Sequence, residues 1–392
     1  MVSELPSNVY FIDMRAKRVE DAIKRRLAKL IDESGVMDVV SPGDLVAVKT
    51  HFGTPGNDRH LRPQHLRVVV EKVKEAGGIP FVTETTGLGL ASARGNAVKA
   101  YWTAVHHGFT SETLGAPVII ADGLKGLSGV VVEVDGARLK RVELAQAIAE
   151  ADALISVAHA KGHPRSGFGG ALKNISVGCL TKRGKAEIHM AKKPSIDPEK
   201  CTNCGKCIKF CPVGAIIVDA RTQKPKIVEE KCIKGCGCWD VCPAGAITPW
   251  PELHHPTNAE LGVRIADAAL AVIRHLRGKV SFLNLAYEIT PHCDCFEYGD
   301  VPMVPDIGIL ASRDPVAIDK ASIDLINQAR GIPGTAAEEV DALEPGVDKF
   351  YALKNWKPFR RFLPQGGPQW RPMLEAAVRL GIGRMEYRLI RV

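Results

Sequence analysis

Two cysteine runs constrain this chain more than any other feature. Residues 201–212 read CTNCGKCIKFCP, a C-x2-C-x2-C-x3-C spacing closed by proline. Thirty-one residues further on, 232–243 read CIKGCGCWDVCP, four thiols again closed by proline. In the second run the first, third and fourth cysteines keep their relative places. Only the second has moved, by one position, leaving Gly235 where it would be expected. Both runs lead into the same turn, CPVGAI and CPAGAI, so residues 196–250 carry an internal repeat. The chain holds eleven cysteines, an odd number. In a reducing compartment that argues for metal or redox chemistry over a disulfide framework.

An iron–sulfur cubane takes one terminal thiolate at each of its four irons. A loop with a cysteine at every third position wraps three corners, and a distant cysteine closes the fourth. The first run matches the bacterial ferredoxin spacing, and the whole 196–250 segment resembles the two-cluster ferredoxins. The resemblance implies two 4Fe–4S clusters with crossed ligation. One takes Cys201, Cys204, Cys207 and Cys242; the other takes Cys232, Cys236, Cys238 and Cys211. Gly235 and Gly237 flank the displaced Cys236, and glycine permits the backbone rearrangement that would still present it to iron. The alternative is that Cys236 is no ligand and the second cluster is incomplete or a three-iron form. A zinc ribbon, which needs four ligands, fits eight poorly.

Around this segment the pattern is α/β. Strands are expected at 8–14, 44–51, 79–85, 116–123, 153–160, 279–288 and near 305–311. Helices are expected at 17–33, 62–77, 94–107, near 142–151, at 258–276 and at 314–329. Near-continuous β-branched strands alternating with helices predict a mainly parallel sheet covered by helices on both sides. The expected organisation is an α/β body in two parts, 1–195 and 251–392, interrupted by a two-cluster ferredoxin-like insertion at 196–250. The Pro-, Arg- and aromatic-rich tail from 331 onward has no clear assignment.

Three stretches of the body look dedicated to chemistry. KTHFGTPGNDRHLRP (49–63) follows a strand and carries His51 and Arg59. HAKGHPRSGFGGALKN (159–174) follows another and carries Lys161, His163 and Arg165, then Gly169 and Gly170. Loops past strand ends are where open α/β sheets hold ligands, and cations with free backbone amides suit an anion. The two loops make one anion-accepting pocket if their strands run side by side. The third stretch, HCDCFEYGD from His292, places Cys293 and Cys295 two residues apart. Cys179, Cys293 and Cys295 are the cysteines the repeat does not use. They are read as a third metal or cluster site with an open position, to which Asp294, His292 or His163 supplies further ligands or a proton. The plain alternative is three buried, inert thiols. The basic stretch 182–193 reads as a solvated face, with docking of a partner or anion as the sharper alternative.

These stretches together resemble the uncharacterised iron–sulfur centre proteins, domain of unknown function 362. The pieces that carry the resemblance are HFGTPGN, AHAKGHPRSGFGGALKNISVGC, the cysteine repeat and TPHCDCFEYGDVPMVPDIGILASRDPVAID. It implies an α/β domain interrupted by a ferredoxin module and hands over no reaction. The second run departs from the regular spacing usual in that family. The leading expectation is an iron–sulfur redox protein, a reductase passing electrons from two 4Fe–4S clusters to a substrate or third metal site in the body. His163, Cys293 and Cys295 would act at that site, and Lys161, Arg165, Gly169, Gly170, His51 and Arg59 would bind the substrate. The alternatives are an electron-carrier or scaffold subunit with no substrate of its own, and a cluster-assembly or metal-delivery factor. A net charge of +8 suits an anionic substrate or an acidic electron donor or acceptor. No nucleic-acid-binding signature accompanies it, no apolar run is long enough to span a membrane, and no signal-peptide pattern opens the chain. A cytoplasmic location is the resulting expectation.

Overall fold

The computed structural model describes residues 5–254, 257–360 and 366–392. Eight strands form the central sheet: β1 (Ser7–Asp13), β2 (Leu45–Lys49), β3 (Ile79–Glu84), β4 (Val118–Ile120), β5 (Ala153–His159), β6 (Val280–Ala286), β7 (Gly308–Ser312) and β8 (Tyr387–Arg391). Their order is β8-β1-β7-β6-β5-β2-β3-β4. Only β7 runs against its neighbours; every other adjacent pair is parallel. This is the mainly parallel α/β sheet the strand pattern predicts. β5 and β6 are direct neighbours, in register from Leu154 with Val280 to His159 with Leu285. The cysteine-rich residues 196–250 thus fall in the connection between two adjacent strands.

Alternation along the strands builds two apolar layers. Val46 and Val48 of β2, Ile155 and Val157 of β5, and Leu283 and Leu285 of β6 face one layer. Ala47, Leu154 and Phe282 face the other. The first layer is covered by α1 (Ile23–Ser34), α2 (Pro63–Glu75) and Ala104 of α3 (Ala97–His106). Leu27, Leu30 and Ile31 supply the inward stripe of α1, and Gly35, at φ +68°, ends it in the left-handed turn that favours glycine. The second layer is covered by α5 (Asn258–His275), α6 (Pro315–Gln328) and α7 (Arg371–Arg379). The Thr257 hydroxyl caps α5 by accepting the Glu260 N–H, and Asp314 caps α6 ahead of Pro315. The helix α4 (Lys182–His189) packs beside α5.

Three details differ from the sequence expectation. The helix expected near 142–151 is instead a strand, Arg141–Ala145, hairpin-paired with Gly129–Glu133 and followed by one turn at Gln146–Ala149. Val142 and Leu144 point inward two residues apart, so the period of two prevails over an ambiguous apolar spacing. The first helix begins at Ile23, later than expected. The tail contributes α7 against α5, and β8 as a parallel edge strand on β1.

Candidate functional site

The strands β6, β5, β2 and β3 are consecutive and parallel, so the loops after their C-terminal ends emerge along one edge of the sheet. These loops wall a cavity of about 480 Å3. His51, Lys161, His163, Arg165, Gly169, Gly170, Cys293 and Cys295 all line it. Arg59 does not. Its guanidinium turns away to Glu288, at 2.8 Å, because that carboxylate meets it from the loop after β6. Cys179 also lies elsewhere. It ends a short turn, Val177–Cys179, whose side chain enters the apolar layer, with its sulfur 3.8 Å from the Asn174 carbonyl. Burial pushes its thiol up to about 12. The three-cysteine grouping is therefore corrected: His163, not Cys179, stands beside Cys293 and Cys295.

The cavity floor is built from buried charge. Lys49, the last residue of β2, meets Glu84, the last of β3, at 3.0 Å. Asp294 is fully buried and faces His159 Nδ1 at 3.0 Å and Lys161 Nζ at 3.2 Å. Burial alone would raise its carboxyl, but His159 and Lys161 outweigh that and hold it well below the usual carboxylate range. So engaged, Asp294 is no ligand for a metal at the neighbouring thiols. His292 sits among the rings of Tyr298, Trp356, Phe296 and Phe359 and does not line the cavity.

The thiol pair is placed by a close backbone approach. Gly162 donates its N–H to Thr290 at 2.9 Å, and a Cβ there would come within 2.4 Å of the Pro291 carbonyl oxygen. The loop carrying Cys293 and Cys295 is thereby held against the hairpin of Lys161–His163 and Gly167–Gly169. Ligand-type atoms of His163, Cys293 and Cys295 lie within 4.8 Å of one another. The Cys295 N–H points at the Cys293 sulfur at 3.4 Å, and Lys173 Nζ stands 3.7 Å from it. The neighbouring Cys295 thiol, with Lys173 and Lys161, outweighs burial and holds Cys293 well below the ordinary thiol range, while Cys293 and burial push Cys295 up.

His163 is fixed in one tautomer. Its Nδ1 accepts backbone N–H groups from Arg165 at 3.2 Å and Ser166 at 3.0 Å, so the proton of the neutral ring sits on Nε2. Burial, with Lys173 next in weight, holds the imidazole well below its usual range and hence neutral. Neither nitrogen then offers a free lone pair. The arrangement suits an N–H donor beside two sulfurs better than a metal ligand.

Several residues of this site escaped the sequence. The face read as solvated at 182–193 is half buried: Lys182 and Lys185 of α4 point inward, while Arg183 reaches out to Glu143. Lys182 Nζ donates to the Thr86 hydroxyl at 2.9 Å and to the Gly87 carbonyl; Lys185 donates to the Thr85 hydroxyl and the Thr86 carbonyl. Burial lowers these amines to about 7 and about 8. The available signal was the spacing of 182 and 185 on the same helix face as Ala186. Arg94 also lines the cavity, and among the described residues its side chain makes no hydrogen bond or ion pair. The glycine-rich loop does not offer its helix-end amides to the cavity. Ala171 and Leu172 donate theirs to the buried Asp319, at 2.7 and 3.0 Å, which burial raises to about 6.

In the cysteine-rich segment the sequence repeat is a structural one. The buried quartet Cys207, Ile216, Cys238 and Ile247 pairs equivalent positions of the two copies. The left-handed turns at Asn203 and Gly214 recur at Lys234 and Gly245. Cys211 accepts the Ala215 N–H at 3.2 Å, and Cys242 accepts that of Ala246 at 3.3 Å. A small cavity of about 20 Å3 is lined by Cys201, Cys204, Cys207 and Cys242. Burial, then the thiols of Cys211, Cys238 and Cys232, pushes the Cys236 thiol up to about 12. The displaced cysteine has a mechanical reason. A Cβ at Gly235 would strike Leu88 and the Lys182 carbonyl, and one at Gly237 would come within 2.7 Å of Gly89 Cα. The Gly-Cys-Gly turn is the point where the segment docks on the body, and Trp239 and Asp240 just beyond it line the large cavity.

An α/β protein with a ligand-sized cavity at the C-terminal edge of its sheet is thus defined. Residues 46–324 match the family described as "Domain of unknown function (DUF362)", and the chain belongs to that family. It is 28% identical over 161 residues to the thylakoid-associated protein sll1697 of Synechocystis, covering 40% of this chain and 45% of that one. The chain therefore spans less than half the length of that curated relative. Among solved structures it is similar to the lactate racemase apoprotein of Thermoanaerobacterium thermosaccharolyticum, with 11% identity, a TM-score of 0.40, and 98% of this chain and 83% of that chain covered. A protein from Thermotoga maritima is similar at 17% identity and a TM-score of 0.28, over 42% of this chain and 38% of that one. Among the described residues no helix is long and apolar enough to cross a membrane.

Proposed function

We propose that this protein is an iron–sulfur reductase. Residues 196–250 would hold two 4Fe–4S clusters, and the cavity in the α/β body would hold a small anionic substrate. The observation that carries this reading is the shared wall: Trp239 and Asp240 of the cysteine-rich segment line the same cavity as His163, Cys293 and Cys295. The donor set fits the group. Cys201, Cys204, Cys207 and Cys242 surround one small void, and the thiols of Cys211, Cys238 and Cys232 join burial in pushing Cys236 up. Bound clusters would supply one-electron transfer, tuned by N–H groups such as those of Ala215 and Ala246 on their sulfurs.

The chain's own residues account for an anion. Lys49 is neutralised by Glu84 and Lys161 by Asp294, but Arg94 and Lys185 line the cavity without an ion pair among the described residues. Lys185 is buried and Arg94 partly so, and burying an uncompensated cation is costly unless a counter-charge joins it. At the far end of the segment Cys204 is exposed, with Lys206 and Lys209 exposed beside it, while Lys200 and Lys226 nearby pair with Asp197 and Asp219. That surface suits an acidic one-electron partner.

Anaerobic purification with iron and acid-labile sulfide counted per chain tests the reading. About eight irons are expected, with about four lost in Cys236→Ser. Stoichiometric zinc, or iron indifferent to every repeat cysteine, would overturn it. Loss of the substrate-binding response in Arg94→Gln, with clusters intact, separates a reductase from a carrier without its own substrate.

A further inference from the structure

The pair Cys293–Cys295 is unused by the cysteine repeat, and its surroundings are those of a redox couple. We propose that Cys293 and Cys295 cycle between a dithiol and an intramolecular disulfide, forming a two-electron store on the cavity wall. The proposal rests on the preceding reading only for the source of its electrons, one-electron iron–sulfur carriers.

Three geometric facts support it. The two sulfurs lie within 4.8 Å, with Cys295 N–H already directed at Cys293 Sγ, so bond formation needs only a local turn adjustment. Lys173 stands 3.7 Å from the Cys293 sulfur and so favours a thiolate, the species that exchanges with disulfides. His163 is held as an Nε2–H donor rather than a free lone pair, which disfavours a metal bridging the same three residues. The balance is simple. The disulfide takes two electrons and one proton, the sulfur–sulfur bond breaks, Cys295 leaves as a thiol, and Cys293 leaves as a thiolate beside the Lys173 ammonium. Re-forming the disulfide passes two electrons and the Cys295 proton to a reducible small anion in the cavity, the substrate class proposed above. One-electron carriers held by the cysteines of 196–250 would fill such a store in two successive steps.

The test uses the full chain. Trypsin releases Val280–Arg313, which contains both cysteines, no other thiol and no internal cleavage site. After diamide oxidation, acid quench, denaturation and alkylation, this peptide should carry neither alkyl group. Dithiothreitol should restore both. Reduced methyl viologen, a one-electron donor, should restore them at least about tenfold faster in the wild type than in a Cys204→Ser/Cys236→Ser variant. A peptide alkylated at both cysteines after oxidation overturns the proposal. So does one metal ion per chain that shields the pair and is lost in Cys293→Ala. A disulfide that forms but is reduced equally fast in both proteins leaves the couple standing and removes the clusters as its electron source.

Discussion

Leu90 donates its backbone N–H to the carbonyl of Cys236 at 2.7 Å. One residue earlier, Gly89 donates to Gly235 at 3.0 Å. These two bonds tie the displaced cysteine of the second run to the loop after β3, and that loop walls the cavity. The irregular spacing in the sequence is thereby explained by docking: glycine on each side of Cys236 lets two backbones meet.

Gly237→Ala should break this joint. Gly237 has φ +81°, and a side chain there would also collide with Gly89. A loss of about 2 kcal/mol or more is expected from the backbone conformation and overpacking together. Limited proteolysis within 228–245 should accelerate in the variant, while Gly214→Ala, in open space though also left-handed, should leave the docked turn protected.

Lys182 and Lys185 give stability a pH dependence of defined sign. Their amines are lowered in the folded chain to about 7 and about 8, below the ordinary lysine value, so the unfolded chain binds more protons between those values and about pH 10. Their contribution therefore rises as pH increases through that window, by at most about 1.4 kcal/mol per pH unit for each lysine. Denaturant midpoints for the wild type and Lys182→Met, compared between about pH 7 and about pH 9, should show a shallower rise in the variant. Parallel curves would refute the assignment.

Gly162→Ala should displace the loop of the thiol pair without touching the cysteine repeat. The new Cβ would meet the Pro291 carbonyl, and a cost of about 1–3 kcal/mol is expected. Disulfide formation between Cys293 and Cys295 should slow, read by the alkylation of Val280–Arg313, with iron content unchanged.

The sequence made the central strands legible because apolar runs such as 46–48 and 153–158 are buried on both faces. Their parallel pairing brought the loops of His51 and Lys161 to one edge, as the strand-end argument required. What the sequence hid depends on partners far along the chain. Arg59 looked like a ligand-binding cation until Glu288 claimed it, 229 residues away. Lys182 and Lys185 looked solvated because their acceptors, Thr85, Thr86 and Gly87, arrive from another loop. Cys179 looked poised toward the thiol pair, and the turn that buries it instead has no distinctive local signal. The Arg141–Ala145 strand was hidden by a spacing that reads equally well as a helix.

The most direct measurement is an anaerobic reductive titration that counts electrons per chain. The account predicts about four for the wild type, one for each of two clusters and two for the thiol pair, and about two for Cys293→Ser/Cys295→Ser. A wild-type uptake that vanishes in the pair variant would contradict the clusters, and an identical uptake in both proteins would contradict the redox pair.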